Sequence, residues 1–300
     1  MSSLDTKVLL GYIPHGVNPT KFYKITEPSE LEALNTTRKQ LLGPHFDSAE
    51  FVVLYNSRNI RRKMTSDVIL AFNKFFQMLS EDDKKKCVLV LHTQPIDDHG
   101  TDLPMVINDV TPGIPVIFSQ HRIDGSTMNH LYNIADVTIN LASNEGFGLS
   151  TCESLMAETP IIANVTGGLQ DQMGFRDDDG NLLDPNVHFD SLWGSNHDGR
   201  YSVCGPWVIP VFPATISLQG SPVTPYIFDD RCSWIEAANA IYRMWSFGKE
   251  DREVRGRLGR EYCLGEGELN SENMSRLFIS GINYAIKQFT PRKKFTLDKV

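Results

Sequence analysis

The feature that most constrains this chain is an alternation of short, continuous apolar runs with segments of helical periodicity. The runs are "FVVLYN" (51–56), "CVLVLHT" (87–93), "PVIFSQ" (115–120), "VTINLAS" (137–143) and "PIIANV" (160–165). None shows the strict apolar–polar alternation of a strand with one wet face, so each reads as a strand covered on both sides. Helices are predicted among them at "SDVILAFNKFFQML" (66–79), "STMNHLYNIA" (126–135) and "TCESLMAE" (151–158). Repeated βα units of this kind predict an open parallel α/β sheet with helices on both faces. Upstream, "VLLGYI" (8–13) reads as a strand and "PHGVNPTKF" as a turn-rich connector. A helix is predicted over 29–42 with Ser29 as N-cap, and two more over 232–247 and 271–289. Residues 176–228 break the rhythm with Gly, Pro, Asp and aromatics, and predict an irregular insertion.

The net charge of −8 argues against a nucleic-acid partner, although a local basic cluster can still hold phosphate. The five cysteines, Cys87, Cys152, Cys204, Cys232 and Cys263, are widely spaced and form no C-x-x-C. That pattern fits free thiols in a reducing compartment better than a disulfide framework or a zinc site. The start lacks a basic segment followed by a long apolar one, and no apolar run is long enough for a membrane span. A cytoplasmic location without a transmembrane segment is the expectation.

Chemistry concentrates in "SNEGFGLSTCESLMAETP", residues 143–160. Glu145 falls where a strand ends, in the crevice where open α/β sheets bind ligands. Gly146 and Gly148 let backbone approach a ligand, and a helix starting near Ser150 offers its first amides to an anion such as a diphosphate. Glu153 can accept hydrogen bonds from vicinal hydroxyls, as on a ribose. It also fits a capping box with Ser150, in which it reaches back to the N-cap amide. A second cluster, "YNSRNIRRK" (55–63), places Arg58, Arg61, Arg62 and Lys63 after the strand at 51–56. Such a cluster is a phosphate site or a solvated loop.

"HGVNPTKF", "SRNIRRK", "LYNIADVTINLASNEGFGLSTCESLMAETPIIA" and "GGLQD" occur in the order and spacing of retaining GT-B glycosyltransferases of family 4, which the chain resembles closely over about residues 12–175. The resemblance implies the C-terminal, Rossmann-like donor-binding domain of such an enzyme, over residues 26–289. Residues 1–25 would then be a remnant of the N-terminal domain and the interdomain linker, and 290–300 a basic tail. It further implies that Arg58 and Lys63 hold the diphosphate of a UDP-, GDP- or ADP-sugar, that Glu145 contacts the sugar and Glu153 the ribose. Amides of Phe147, Gly148 and Leu149 would meet the phosphates, and Arg122 and Ile123 would pack on the base. Ser57 and Met64 stand where the family usually has glycine.

The implied reaction is retaining, metal-independent glycosyl transfer, with no cofactor and no metal site, to a glycan, lipid or protein acceptor. The acceptor-binding half is expected on a separate chain or outside this sequence. The alternatives are a non-catalytic nucleotide-sugar-binding module and a nucleotide-sugar epimerase. Asp177-Asp178-Asp179 holds a D-x-D, but the following Gly180-Asn181 marks an exposed turn. His92, at a strand end, is the histidine to watch in the cleft. An NAD enzyme is disfavoured, because no G-x-G-x-x-G follows the first strand.

Overall fold

The computed structural model describes residues 11–224 and 226–289. The first half alternates α1 (Pro28–Leu42), β1 (Phe51–Asn56), α2 (Thr65–Gln77), α3 (Glu81–Lys84), β2 (Cys87–His92), α4 (Leu103–Val110), β3 (Val116–Ser119) and α5 (Gly125–Ile134). The second half runs β4 (Val137–Asn140), α6 (Leu149–Met156), β5 (Ile161–Asn164), α7 (Pro185–His188), β6 (Val208–Val211), β7 (Pro213–Gln219), β8 (Ile227–Cys232), α8 (Trp234–Ser246), α9 (Gly248–Leu264) and α10 (Ser271–Gln288). Six strands form one sheet in the order β3-β2-β1-β4-β5-β6, and every neighbouring pair is parallel. The predicted α/β class is the observed one.

The continuous apolar runs are explained by burial on both faces. Phe51, Val53 and Tyr55 point into a core with Val68, Phe72 and Phe75 of α2 and Ile241 and Met244 of α8. Val52 and Leu54 point the other way, toward Leu131 and Tyr132 of α5 and Leu42 of α1. Successive side chains of a strand face opposite sides, so only a sheet covered twice buries all five.

The strand order reverses between β1 and β4, whose carboxyl ends therefore open a crevice at a topological switch point. The base of the same junction is tied by a largely buried ion pair. Asp136, just before β4, accepts from the Val52 amide at 2.9 Å and from the Arg252 guanidinium of α9 at 2.9 Å. That guanidinium also lies 4.9 Å over the Phe51 ring.

Several expectations change. Residues 8–10 lie outside the described residues, and 11–13 form no strand. Helix α1 starts at Pro28, which places Ser29 inside its first turn; the N-cap is Glu27, without a side-chain cap bond. The stretch 176–228 is not irregular throughout, because it supplies β6, the sixth strand of the sheet, and β7 of an antiparallel hairpin with β8. The segment 12–25 is not a free connector either. The Tyr23 and Ile25 amides donate to Asn129 and Asn133 of α5, and Val17 exchanges backbone bonds with the strip before α10. Helices α3, α4, α7 and α9 are additional. Among the described residues, no helix is long and apolar enough to cross a membrane.

Breaking the junction at its base has a defined cost. Arg252→Ala leaves Asp136 without its cation and removes the cover of Phe51. A loss of about 3–5 kcal/mol is expected, read as a lower urea midpoint with an unchanged denaturant slope.

Candidate functional site

A cavity of about 400 Å³ opens at the switch point, lined by His15, Asn56, Ser57, Lys63, Glu145, Phe147, Gly148, Leu149, Ser150 and Glu153. Three loops build it. The first follows β1 and ends in a tight turn, Arg61–Lys63, whose last residue is held by Tyr55: the phenol lies 3.3 Å from the Lys63 carbonyl and 2.8 Å from the Thr65 hydroxyl. Met64 follows at φ +52°, in the left-handed region that a glycine occupies without strain. This is a position where the resemblance leads to an expectation of glycine; here a methionine occupies it and packs its side chain on the main core.

The second loop follows β4 and carries Glu145. Its carboxylate is nearly excluded from solvent, with 7% of the side chain exposed. It is neutralised by two cations of the first loop, since Lys63 pairs with one oxygen and Arg62 reaches the other at 3.1 Å. Arg62 also donates to the Asn144 carbonyl at 2.8 Å. Burial lowers the Lys63 pKa, and Glu145 pulls it back upward.

The third element is the turn at Gly167–Gln172. The Gly168 amide donates to the Glu145 carbonyl at 3.1 Å. A Cβ on Gly167 would lie 2.1 Å from that carbonyl oxygen, and one on Gly168 would lie 2.1 Å from that of Gly146. The two glycines of "GGLQD" thus let one backbone lie directly on another and fix the path of the Glu145 loop.

Helix α6 starts from Gly148, which sits at φ +86°. Ser150 is therefore inside the helix, and no side chain caps its N-terminus. The expected capping box does not form. Glu153 instead accepts from the Tyr132 hydroxyl at 2.7 Å. Burial raises the Glu153 pKa, and the Tyr132 hydrogen bond opposes that rise.

The structure brings together Lys63, Glu145, Phe147, Gly148, Leu149 and Glu153, but does not place the other three expected residues on the cavity wall. Arg58 is turned to Asp97, with bonds of 2.9 and 3.3 Å, and 61% of its side chain is exposed. Arg122 is exposed in the loop after β3, and Ile123 packs on the core beside α5. The sequence reading missed His15, which stacks on the Phe147 ring at 4.8 Å, and Asn56, the last residue of β1. The signal for Asn56 was its place at a strand's carboxyl end; His15 depends on the folding back of residues 12–25.

His92 lies outside the cavity wall, where it hydrogen-bonds the Ser119 hydroxyl at 2.9 Å and burial lowers its pKa. Asp177 is used by its own turn, accepting from the amides of Asp179 and Asn181. No group of three or more His, Cys, Asp or Glu among the described residues is arranged to hold a metal ion.

Residues 103–192 match the family model described as glycosyl transferases group 1. A curated relative, alpha-monoglucosyldiacylglycerol synthase of Acholeplasma laidlawii, is 29% identical over 153 residues, which are 50% of this chain and 34% of the relative. Among solved structures, sucrose-phosphate synthase from Thermosynechococcus elongatus aligns with TM-score 0.58 at 21% identity, over 92% of this chain and 52% of that one. Anabaena HepE, solved in complex with UDP-glucose, aligns with TM-score 0.59 at 14% identity, over 91% of this chain and 57% of that one. The chain therefore spans about a third of the curated relative and little more than half of these structures. The likeness to the solved structures is one of fold. Residues 103–192 thus resemble a glycosyl transferases group 1 domain, and the Rossmann-like α/β fold is the one shared with these solved structures.

Proposed function

We propose that the cavity at the β1/β4 switch point binds a nucleotide-diphosphate sugar for retaining, metal-independent transfer to an acceptor held by a second half. The observation that carries this reading is the convergence of Lys63, the open amide end of α6 and two carboxylates, Glu145 and Glu153, on one cavity. A diphosphate suits the middle of that arrangement, where an ammonium and a helix N-terminus supply positive potential. Hydroxylated groups suit the two ends. Glu145 faces the sugar in this reading, and Glu153 the ribose. HepE, a structure of the same fold, was solved with UDP-glucose, and the reading brings that class of ligand to this chain.

The chain's part in the reaction is to hold the departing nucleoside diphosphate. Donors fixed in place before the bond breaks stabilise the charge that develops on the leaving group. Lys63 does this from the cavity wall. Arg58 joins it by exchanging Asp97 for a phosphate oxygen; its guanidinium is exposed, although the carboxylate it leaves is mostly covered. The acceptor half would find a ready surface on α10. Phe278, Ile279, Ile282 and Ile286 are all exposed, on a helix whose only buried residue is Asn273, and the exposed Phe289 follows its end.

Isothermal titration with UDP, GDP and ADP tests donor binding, and transfer from the corresponding sugar donors tests catalysis. Lys63→Ala is expected to weaken nucleoside-diphosphate binding by about tenfold or more, the scale of one lost charge-assisted hydrogen bond. Arg58→Ala is expected to weaken it less, since Asp97 must first be released. Unchanged affinity in both variants removes the proposed role.

Binding also has a predicted pH profile. The Glu153 pKa is raised, so its carboxylate protonates, and stops accepting hydroxyl bonds, at a higher pH than an ordinary carboxylate. The Lys63 pKa is lowered, so phosphate attraction fades at a lower pH than for an ordinary lysine. The affinity plateau is therefore expected to be narrowed from both sides, and titrations across pH 4–10 on the wild type, Lys63→Arg and Glu153→Gln assign the two limbs.

A further inference from the structure

Behind Glu153 lies a polar chain that the donor-site reading does not use. Tyr132, on α5, is fully buried. Its hydroxyl is 2.7 Å from the Asn56 side-chain nitrogen and 2.7 Å from Glu153 Oε2. An amide nitrogen only donates, so the phenol oxygen accepts from Asn56 and its one proton is directed at Glu153. The ring is fixed as well: Phe22 meets it edge-on at 5.9 Å, and the Tyr132 carbonyl accepts from the Thr159 hydroxyl at 2.7 Å.

The consequence for Glu153 is specific. One carboxylate oxygen is satisfied from behind by a donor, so the group is held as an acceptor and its charge is stabilised against burial. The other oxygen is left for the cavity. Asn56 and Glu153 both line that cavity, so the chain begins and ends on its wall and passes through the core between.

We propose that Tyr132 is the positioning residue that gives this site its selectivity for a ribose, by presenting Glu153 to the vicinal hydroxyls as an ionised acceptor. The proposal rests on the donor-site reading above. Tyr132 itself touches no ligand. Burial and the nearby Glu153 hold the phenol pKa well above its ordinary value, so it stays a donor across the working pH range.

The test compares the wild type with Tyr132→Phe by titration calorimetry. The probes are UDP, GDP and ADP, the 2′,3′-dideoxy form of whichever binds, and inorganic pyrophosphate. The wild type is expected to prefer the ribose form by about tenfold or more, and Tyr132→Phe to reduce that preference to about threefold or less. Pyrophosphate affinity should not move. The pH at which the preference is half lost should rise in the variant, because phenylalanine cannot donate to the carboxylate; a purely structural role for the ring would not shift it. If Tyr132→Phe lacks a cooperative melting transition, Asn56→Ala is read for the same upward pH shift. A wild type that binds none of the three diphosphates overturns the donor reading and this inference with it. A wild type that prefers ribose, with variants that keep the preference at an unchanged pH midpoint, overturns the role of Tyr132 alone.

Discussion

Glu145 is a nearly buried carboxylate at the mouth of a sheet, and the arrangement of that mouth depends on how its charge is met. An ionised carboxylate removed from water is costly unless a cation and hydrogen bonds replace its solvation. Here Lys63 and Arg62 come from the loop after β1, while Glu145 comes from the loop after β4. The ion cluster therefore fastens together the two loops that flank the switch point. The Gly168 amide holds the Glu145 carbonyl from a third direction. With its side chain and its carbonyl both engaged, the Glu145 loop has little freedom, and the amides of Phe147, Gly148 and Leu149 follow it into place.

The second carboxylate is handled differently. Glu153 is partnered by a neutral phenol rather than a cation, so burial is only partly offset and its pKa remains raised. One cavity thus holds two carboxylates of unlike character, one paired with two cations and one partnered by a neutral hydroxyl. The failed capping box is the local cause. Gly148 adopts a left-handed conformation and is itself the N-cap of α6, so Ser150 lies inside the first turn and Glu153 meets Tyr132 instead of the helix start. An S-x-x-E pattern cannot reveal this, because the deciding residue is the glycine before it and the deciding partner lies on another helix.

The strands β1 to β5 were legible because each is a continuous apolar run; β1, β2, β4 and β5 are buried on both faces, and the edge strand β3 is half-buried. Strand β6 was not, since "VIPV" carries Pro210 amid further prolines; its place at the edge of the sheet tolerates a residue without an amide hydrogen. Helix α9 was missed because "GKEDREVRGRLGREYCL" is polar and holds glycines at 256 and 259. Both glycines are contact points: a Cβ on Gly256 would lie 1.8 Å from the Glu158 carbonyl oxygen, and one on Gly259 would meet Leu155. Composition reads them as helix breakers, whereas tertiary packing makes them the reason the helix fits. The site was legible as far as it lay in two contiguous stretches, 55–63 and 143–160. Tyr132 and His15 enter it only through the packing of α5 and of residues 12–25.

The basic loop shows what pattern cannot decide. The resemblance implies Arg58 and Lys63 together as phosphate ligands, but the structure gives them unequal starting points. The Arg58 pair with Asp97 is half exposed: the guanidinium faces water while the carboxylate is mostly covered, so exchange leaves Asp97 to its remaining bond from the His99 amide. The Lys63 pair with Glu145 is enclosed, and separating it would strand a buried carboxylate. In the proposed binding step a diphosphate would therefore share Lys63 with Glu145 rather than take it, while Arg62 keeps Glu145 neutralised from the other side. The mobile partner in the proposed binding step is Arg58, and the residues already on the cavity wall hold still.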